Sequence, residues 1–160
     1  QRLTIVKSNL ARLKLEAELI VADATQWKRD ADFDGVLLDA PCSATGTIRR
    51  HPDIAHLKSP KDVASAAALQ AQLLAAAWRL LRPGGYLIYC TCSLQPEENE
   101  AQIASLLAGG APLERVAIKA DEIATPPDAV TALGDLRTLP LHWRDMGGMD
   151  GFYACRLRRL

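Results

Sequence analysis

Two short stretches carry the residues best suited to chemistry. Val36-Leu37-Leu38-Asp39-Ala40-Pro41-Cys42-Ser43-Ala44-Thr45-Gly46 runs from apolar residues into an acid, a rigid proline, a thiol and hydroxyls. Tyr86-Leu87-Ile88-Tyr89-Cys90-Thr91-Cys92-Ser93 also ends an apolar run in thiols and hydroxyls. In an open α/β sheet, ligands sit beyond the carboxyl ends of the strands. The two stretches therefore read as neighbouring strands that deliver Asp39, Cys42 and Cys92 to one site, and they suggest thiol chemistry on a bound substrate. A nucleophilic thiol must be partly exposed and have a lowered pKa. Cys90 and Cys92 share a strand face, so one can pack while the other reacts. Cys92 closes the apolar run beside Thr91 and Ser93, where a substrate can reach it. A buried Cys acting as a small hydrophobe is the competing reading. For Cys42, approached through Pro41, the competing reading is a structural loop thiol. Asp23 and Asp39 each end an expected strand, which fits polar recognition along a sheet edge. A turn or cap former is the bland alternative for either, and for the loop acid Asp53.

Composition narrows the classes. Four Cys and three His would admit zinc. However, Cys90-x-Cys92 lacks the usual two-residue spacer, and Cys42 and Cys155 have no partners nearby in sequence. No metal is expected. The thiols are too few and too irregular for a disulfide scaffold, which points to a reducing cytoplasm. No apolar run approaches the ~18 residues of a membrane span, and no signal peptide is visible. Nineteen basic and nineteen acidic side chains cancel, so nucleic-acid binding would need a local patch. Arg49-Arg50-His51 and Arg156/Arg158/Arg159 are candidates, each against the bland reading of a solvated face.

The elements that must position these residues follow from pattern. Residues 2–15 read as a helix, with Leu3, Val6, Leu10 and Leu13 on one stripe. Ala17 to Ala22 reads as a short strand ending at Asp23, and Phe33 to Asp39 as the next. A long loop follows through Arg49, Arg50, His51 and Asp53; such loops are often functional. Ser59 as N-cap, Pro60 at the first position and Asp62 in the first turn open a helix to about Arg82. Its stripe is Val63, Ala67, Leu74, Trp78 and Leu81, widened by Leu73 and Ala77, and Pro83-Gly84-Gly85 stops it. A strand over 86–92 follows. Pro96 opens another helix with Glu97, Glu98 and Glu100 at its positive end and Ile103, Leu106 and Leu107 inside. Leu113 to Ile118 is a weaker strand, and 119–137 reads as loop with a helical turn. Leu139 to Trp143 and Gly151 to Leu157 read as a closing hairpin. The alternation gives one α/β domain over 1–160 with a parallel sheet.

Asp39-Ala-Pro-Cys-Ser-Ala-Thr-Gly-Thr-Ile-Arg-Arg-His-Pro-Asp53 and Thr91-Cys-Ser-Leu-Gln-Pro-Glu-Glu-Asn99 closely resemble signature stretches of the RNA cytosine-5 methyltransferases, in particular the bacterial Sun type that modifies small-subunit ribosomal RNA. The similarity covers about Gln1 to Glu100 and resumes at Gly148-Met-Asp-Gly-Phe-Tyr153. It implies a Rossmann-like class I methyltransferase sheet, mostly parallel with an antiparallel closing hairpin, and S-adenosylmethionine as cofactor. It implies that Cys92 attacks carbon 6 of cytosine and that Cys42 assists release of the methylated base. Asp39 would lie at the cofactor methyl and target ring, Asp23 at the adenine end of the cofactor, and Arg49, Arg50 and His51 beside the RNA. A cytoplasmic enzyme, monomeric in its full-length form and free of metal and membrane, is the corresponding expectation.

The family's glycine-rich cofactor loop and ribose-binding acid have no counterpart in this sequence. The chain therefore reads as the C-terminal portion of a catalytic domain, with the N-terminal strands missing and little or no activity alone. Three other readings stand beside this one. A DNA-type cytosine methyltransferase would make Cys42 the attacker. An amino-group methyltransferase would leave both thiols idle. A non-catalytic RNA-binding scaffold would need neither.

Overall fold

The structure, a computed structural model, describes residues 2–29 and 32–160. Three helices and five strands carry the architecture after a first helix, α1 (Arg2–Leu13). Strand β1 is Phe33–Asp39 and β2 is Leu81–Thr91. Between them lie a one-turn helix α2 (Ile54–Leu57) and the long helix α3 (Pro60–Ala77). Helix α4 (Glu100–Ala108) follows, then β3 (Leu113–Arg115), β4 (Leu136–Thr138) and β5 (Phe152–Arg159). The sheet order is β1-β2-β5-β3, with β4 also on β5. β1 and β2 are parallel, joined by the α3 crossover, and β5 runs antiparallel between β2 on one side and β3 and β4 on the other. This is the α/β, Rossmann-like arrangement expected, but the sheet is mixed rather than mostly parallel: among the described strands only β1 and β2 pair in parallel, because β5 inserts antiparallel between β2 and the short strands.

Apolar residues of the inner strands and α3 make the core. Leu74 and Ala77 of α3 pack on Leu81, Leu87 and Tyr89 of β2, Ile103 of α4, and Tyr153, Cys155 and Leu157 of β5. Ser59 starts α3 as expected: Asp62 Oδ2 accepts hydrogen bonds from the Ser59 N–H (2.8 Å) and hydroxyl (2.6 Å), so a carboxylate in the first turn satisfies the donors at the helix start.

Several expected boundaries move, each because a tertiary partner decides. α3 ends at Ala77 rather than near Arg82, since fully buried Leu81 already pairs with Phe33 of β1. Pro83-Gly84-Gly85 therefore lies within the extended segment, where the β1–β2 register shifts between Phe33 and Gly35. The partner of the closing strand is Leu136–Thr138, in a stretch read as loop, whereas 139–143 turns. Residues 17–22 do not form a strand. Val21 is 84% exposed, and a strand without a hydrogen-bonded neighbour has nothing to hold it. The α1 stripe is likewise uncovered at Val6 and Leu13. Among the described residues, no helix is long and apolar enough to cross a membrane.

Candidate active site

Parallel pairing is what brings the two motifs together. Asp39 stands opposite Cys90 in the β1–β2 register, so both strands end at the same edge of the sheet. The Ala40 N–H still donates to the Cys90 carbonyl (2.9 Å). Beyond that point the loops cross: the Gly46 N–H donates to the Cys92 carbonyl (2.9 Å), and the Gly151 N–H, just before β5, donates to the Gly46 carbonyl (2.8 Å). A Cβ on Gly46 would lie 2.0 Å from the Gly151 oxygen and 2.8 Å from the Cys92 oxygen. Only glycine permits this approach of three backbones. Ala44, two residues earlier, holds φ at 61°, a left-handed conformation uncommon for a non-glycine residue. The outcome is that Cys42 Sγ and Cys92 Sγ, fifty residues apart, lie 3.5 Å from each other.

The electrostatics of the pair are unequal. The Cys92 pKa is lowered from the usual 9.0 to about 7, chiefly by the hydrogen bond from Cys42 and also by its own backbone N–H; burial and the charges of Asp39 and Glu98 oppose this. The same hydrogen bond, with burial, pushes Cys42 up. Of the two, Cys92 is therefore the more readily ionised thiol. Cys90 goes the other way. Burial, reinforced by Asp39, pushes it up to about 11, and its Sγ sits against the Leu38 carbonyl at 3.7 Å. Cys155 is buried and likewise pushed up. Of the two thiols on the β2 face, Cys90 is buried and Cys92 is partly exposed.

The segment after β2 is tied to itself and to the loop after β1. The Thr91 hydroxyl donates to Asn99 Oδ1 (2.5 Å), and Asn99 Nδ2 donates to the Ser93 carbonyl (2.8 Å). The Leu94 N–H donates to Thr45 Oγ1 (2.9 Å). Ser43, Ser93, Glu98 and Asn99 are all buried, and the sequence reading assigned none of them a function. By its position after Pro96, Glu98 reads only as an acid at the positive end of a helix dipole, and the one signal in the serines is that each directly follows a thiol. Next to these loops, Thr45, Ile48, Lys58, Val63, Leu94 and Gln95 line part of an open groove of about 570 Å³.

The remaining expected residues are less concentrated. Asp39 is exposed at the end of β1, its Oδ1 3.8 Å from Cys90 Sγ. Asp23 is exposed and its Oδ1 accepts from the Thr25 N–H (2.9 Å) and hydroxyl (2.7 Å), so it shapes its own turn and its carboxyl lies below the usual range. Arg49, Arg50 and His51 are exposed on the segment that follows Gly46. Arg50 Nε donates to Asp150 Oδ2 at 2.8 Å and Arg49 lies 3.8 Å from Oδ1. Asp150 thus neutralises part of the basic patch. Arg156 and Arg158 are engaged by Glu122 and Glu114, and Arg159 by the Leu81 carbonyl, which favours the solvated-face reading for that cluster. Among the described residues, no group of three or more His, Cys, Asp or Glu could hold a metal ion.

Comparison with known proteins bears on the whole chain. The family model of the 16S rRNA methyltransferase RsmB/F matches residues 1–158. Ribosomal RNA small subunit methyltransferase B of Yersinia enterocolitica is 46% identical over 160 residues, covering 98% of this chain and 34% of that protein. The protein of the same name in Pasteurella multocida is 42% identical, covering 99% of this chain and 35% of its own length. Among solved structures, NSun6 from Pyrococcus horikoshii superposes with a TM-score of 0.79 at 27% identity, over 99% of this chain and 38% of that one. The chain spans about a third of the length of the curated relatives it matches.

Proposed function

Since the chain belongs to the 16S rRNA methyltransferase RsmB/F family, we propose that it carries the thiol chemistry of an S-adenosylmethionine-dependent enzyme that methylates carbon 5 of a cytosine in small-subunit ribosomal RNA. The observation that carries this reading is the Cys42–Cys92 pair, 3.5 Å apart at the ends of adjacent parallel strands, with Cys92 the more readily ionised thiol.

Carbon 5 of cytosine is a poor nucleophile while its ring is aromatic. Addition of the Cys92 thiolate to carbon 6 breaks that aromaticity and moves electron density to carbon 5, splitting one hard step into easier ones. Asp39, exposed at the strand end, would stabilise the adduct when protonated, its carboxyl group donating to ring nitrogen 3. After methyl transfer a base must take the proton from carbon 5, whose electron pair then restores the double bond and expels Cys92 as thiolate; Cys42, its Sγ 3.5 Å from Cys92 Sγ, assists that elimination. The target base must leave its stack to reach the pair, at a cost of a few kcal/mol. Arg49, Arg50 and His51, exposed and basic, would pair with RNA phosphates.

S-adenosylmethionine fits the donor set. Its sulfonium and ammonium are cations, and the exposed Asp39 carboxylate faces the edge with no basic partner among the described residues. Asp23 uses only Oδ1 on its turn and can hold the adenine end. When bound, the cofactor supplies the electrophilic methyl. The test is the pair of single variants in the full-length enzyme, run on denaturing gels with target RNA. Cys92→Ala is expected to abolish methylation without an adduct, and Cys42→Ala to trap a covalent RNA adduct. An adduct in Cys92→Ala alone would make Cys42 the attacker and overturn the assignment.

A further inference from the structure

Glu98 is fully buried and has no Lys or Arg partner among the described residues. A buried carboxylate costs heavily unless hydrogen bonds replace its hydration. Here both oxygens are used, and their partners come from two loops and a helix. Oε1 accepts from the Ser43 N–H (2.8 Å) and from Gln70 Nε2 of α3 (3.1 Å). Oε2 accepts from the hydroxyls of both Ser43 and Ser93. Those serines follow Cys42 and Cys92 directly, and their Oγ atoms are 3.1 Å apart. Gln70 also donates to the carbonyl of Pro41, the residue before Cys42, at 2.9 Å. The Glu98 backbone is itself pinned, its carbonyl accepting from the Tyr89 hydroxyl at 2.6 Å.

From this geometry we propose that Glu98 is the positioning residue that sets the Cys42–Cys92 separation, acting through Ser43 and Ser93. The sequence of contacts is short. One carboxylate oxygen holds the residue after each thiol, so the two loops cannot slide apart without stripping a hydrogen bond from a buried anion. The Gln95 N–H donates to Ser93 Oγ (3.0 Å), which leaves the Ser93 proton free for Glu98 and fixes that hydroxyl's direction. No hydrogen bond or contact short enough to act on sulfur links Glu98 to either thiol; its charge alone would disfavour the Cys92 thiolate. Its benefit to the pair is therefore geometric and runs against its own electrostatics. That opposition makes the proposal separable from a simple charge effect.

The importance of this residue for methyl transfer rests on the function proposed above, but its test does not. Diamide oxidises two neighbouring thiols to a disulfide while taking up their two hydrogens, and needs neither RNA nor cofactor. The rate at which it joins Cys42 to Cys92 in the folded full-length protein, read by peptide mass, measures how often the sulfurs meet. Loss of one hydrogen bond to a charged group is worth about tenfold or more. Ser93→Ala and Ser43→Ala are each expected to slow the crosslink by about tenfold, and Glu98→Ala by more. In Glu98→Ala the pH midpoint for Cys92 alkylation should rise, whereas loss of negative charge alone would lower it. Should Glu98→Ala fail to fold, the two serine variants decide by crosslinking. Unchanged crosslinking rates, or a lowered alkylation midpoint in folded Glu98→Ala, would overturn the proposal. Failure of the enzyme to methylate RNA, with slowed crosslinking, would sink the functional reading and leave this one standing.

Discussion

Replacing Cys42 with alanine removes the donor that holds the Cys92 pKa down from 9.0 to about 7. At pH 7 the native Cys92 is then about half thiolate, and with the donor gone about one part in a hundred. That is a loss of roughly fiftyfold in reactive species. The thiolate left behind is more nucleophilic, because reactivity rises with basicity at a Brønsted slope of about 0.4–0.5, which returns roughly eightfold. The net expectation is an alkylation rate at pH 7 about sixfold slower in Cys42→Ala. Across the pH range the effect is clearer. As pH rises, native Cys92 should reach its plateau through about 7, and the variant should still be climbing towards 9. The assay is iodoacetamide labelling at a series of pH values, with the Cys92-containing peptide quantified by mass. Cys90 and Cys155, buried and pushed up, should stay unlabelled near neutrality. If both proteins titrate at the same pH, the Cys42 hydrogen bond is not what activates Cys92, and the order of ionisation within the pair is wrong.

Three further outcomes are expected. Arg49→Ala with Arg50→Ala should weaken RNA binding and flatten its log–log salt dependence by about one rather than two, because Asp150 already neutralises part of the pair; an unchanged slope in filter binding would return these residues to a solvated face. Gly46→Ala would press a methyl group to within 2.0 Å of the Gly151 oxygen, at a cost of about 3 kcal/mol and so a fall in Tm of roughly 6–12 °C; a melting temperature equal to the native one would mean the loops part without strain. The 160-residue chain alone should show no S-adenosylmethionine binding by calorimetry at micromolar protein, since among the described residues no strand leads into a glycine-rich loop ahead of β1; tight binding would withdraw the cofactor roles of Asp23 and Asp39.

Periodicity and residue type carried the helices α1, α3 and α4 and the strands β1 and β2, and they marked Asp39, Cys42 and Cys92 as residues at strand ends. These are local properties: an apolar run closed by Asp39-Ala-Pro-Cys42 or by Thr91-Cys92-Ser93 reads the same whatever surrounds it. The order β1-β2-β5-β3 and the short strand Leu136–Thr138 were not legible, because three residues become a strand only when β5 presents its edge. For the same reason Ala17 to Ala22, strand-like by composition, stays unpaired. At the site, the sequence named Cys42 and Cys92 but could not show that the two sulfurs meet. That required the 3.5 Å contact, which exists because parallel pairing sets Asp39 against Cys90 and because three backbones converge where Gly46 has no side chain. Glu98 is the sharpest case. From its neighbours in sequence it is one of several acids near a helix start; folding removes it from water, and a buried carboxylate must then find donors wherever the tertiary structure offers them. Its donors proved to be the two serines that follow the thiols and Gln70 of α3.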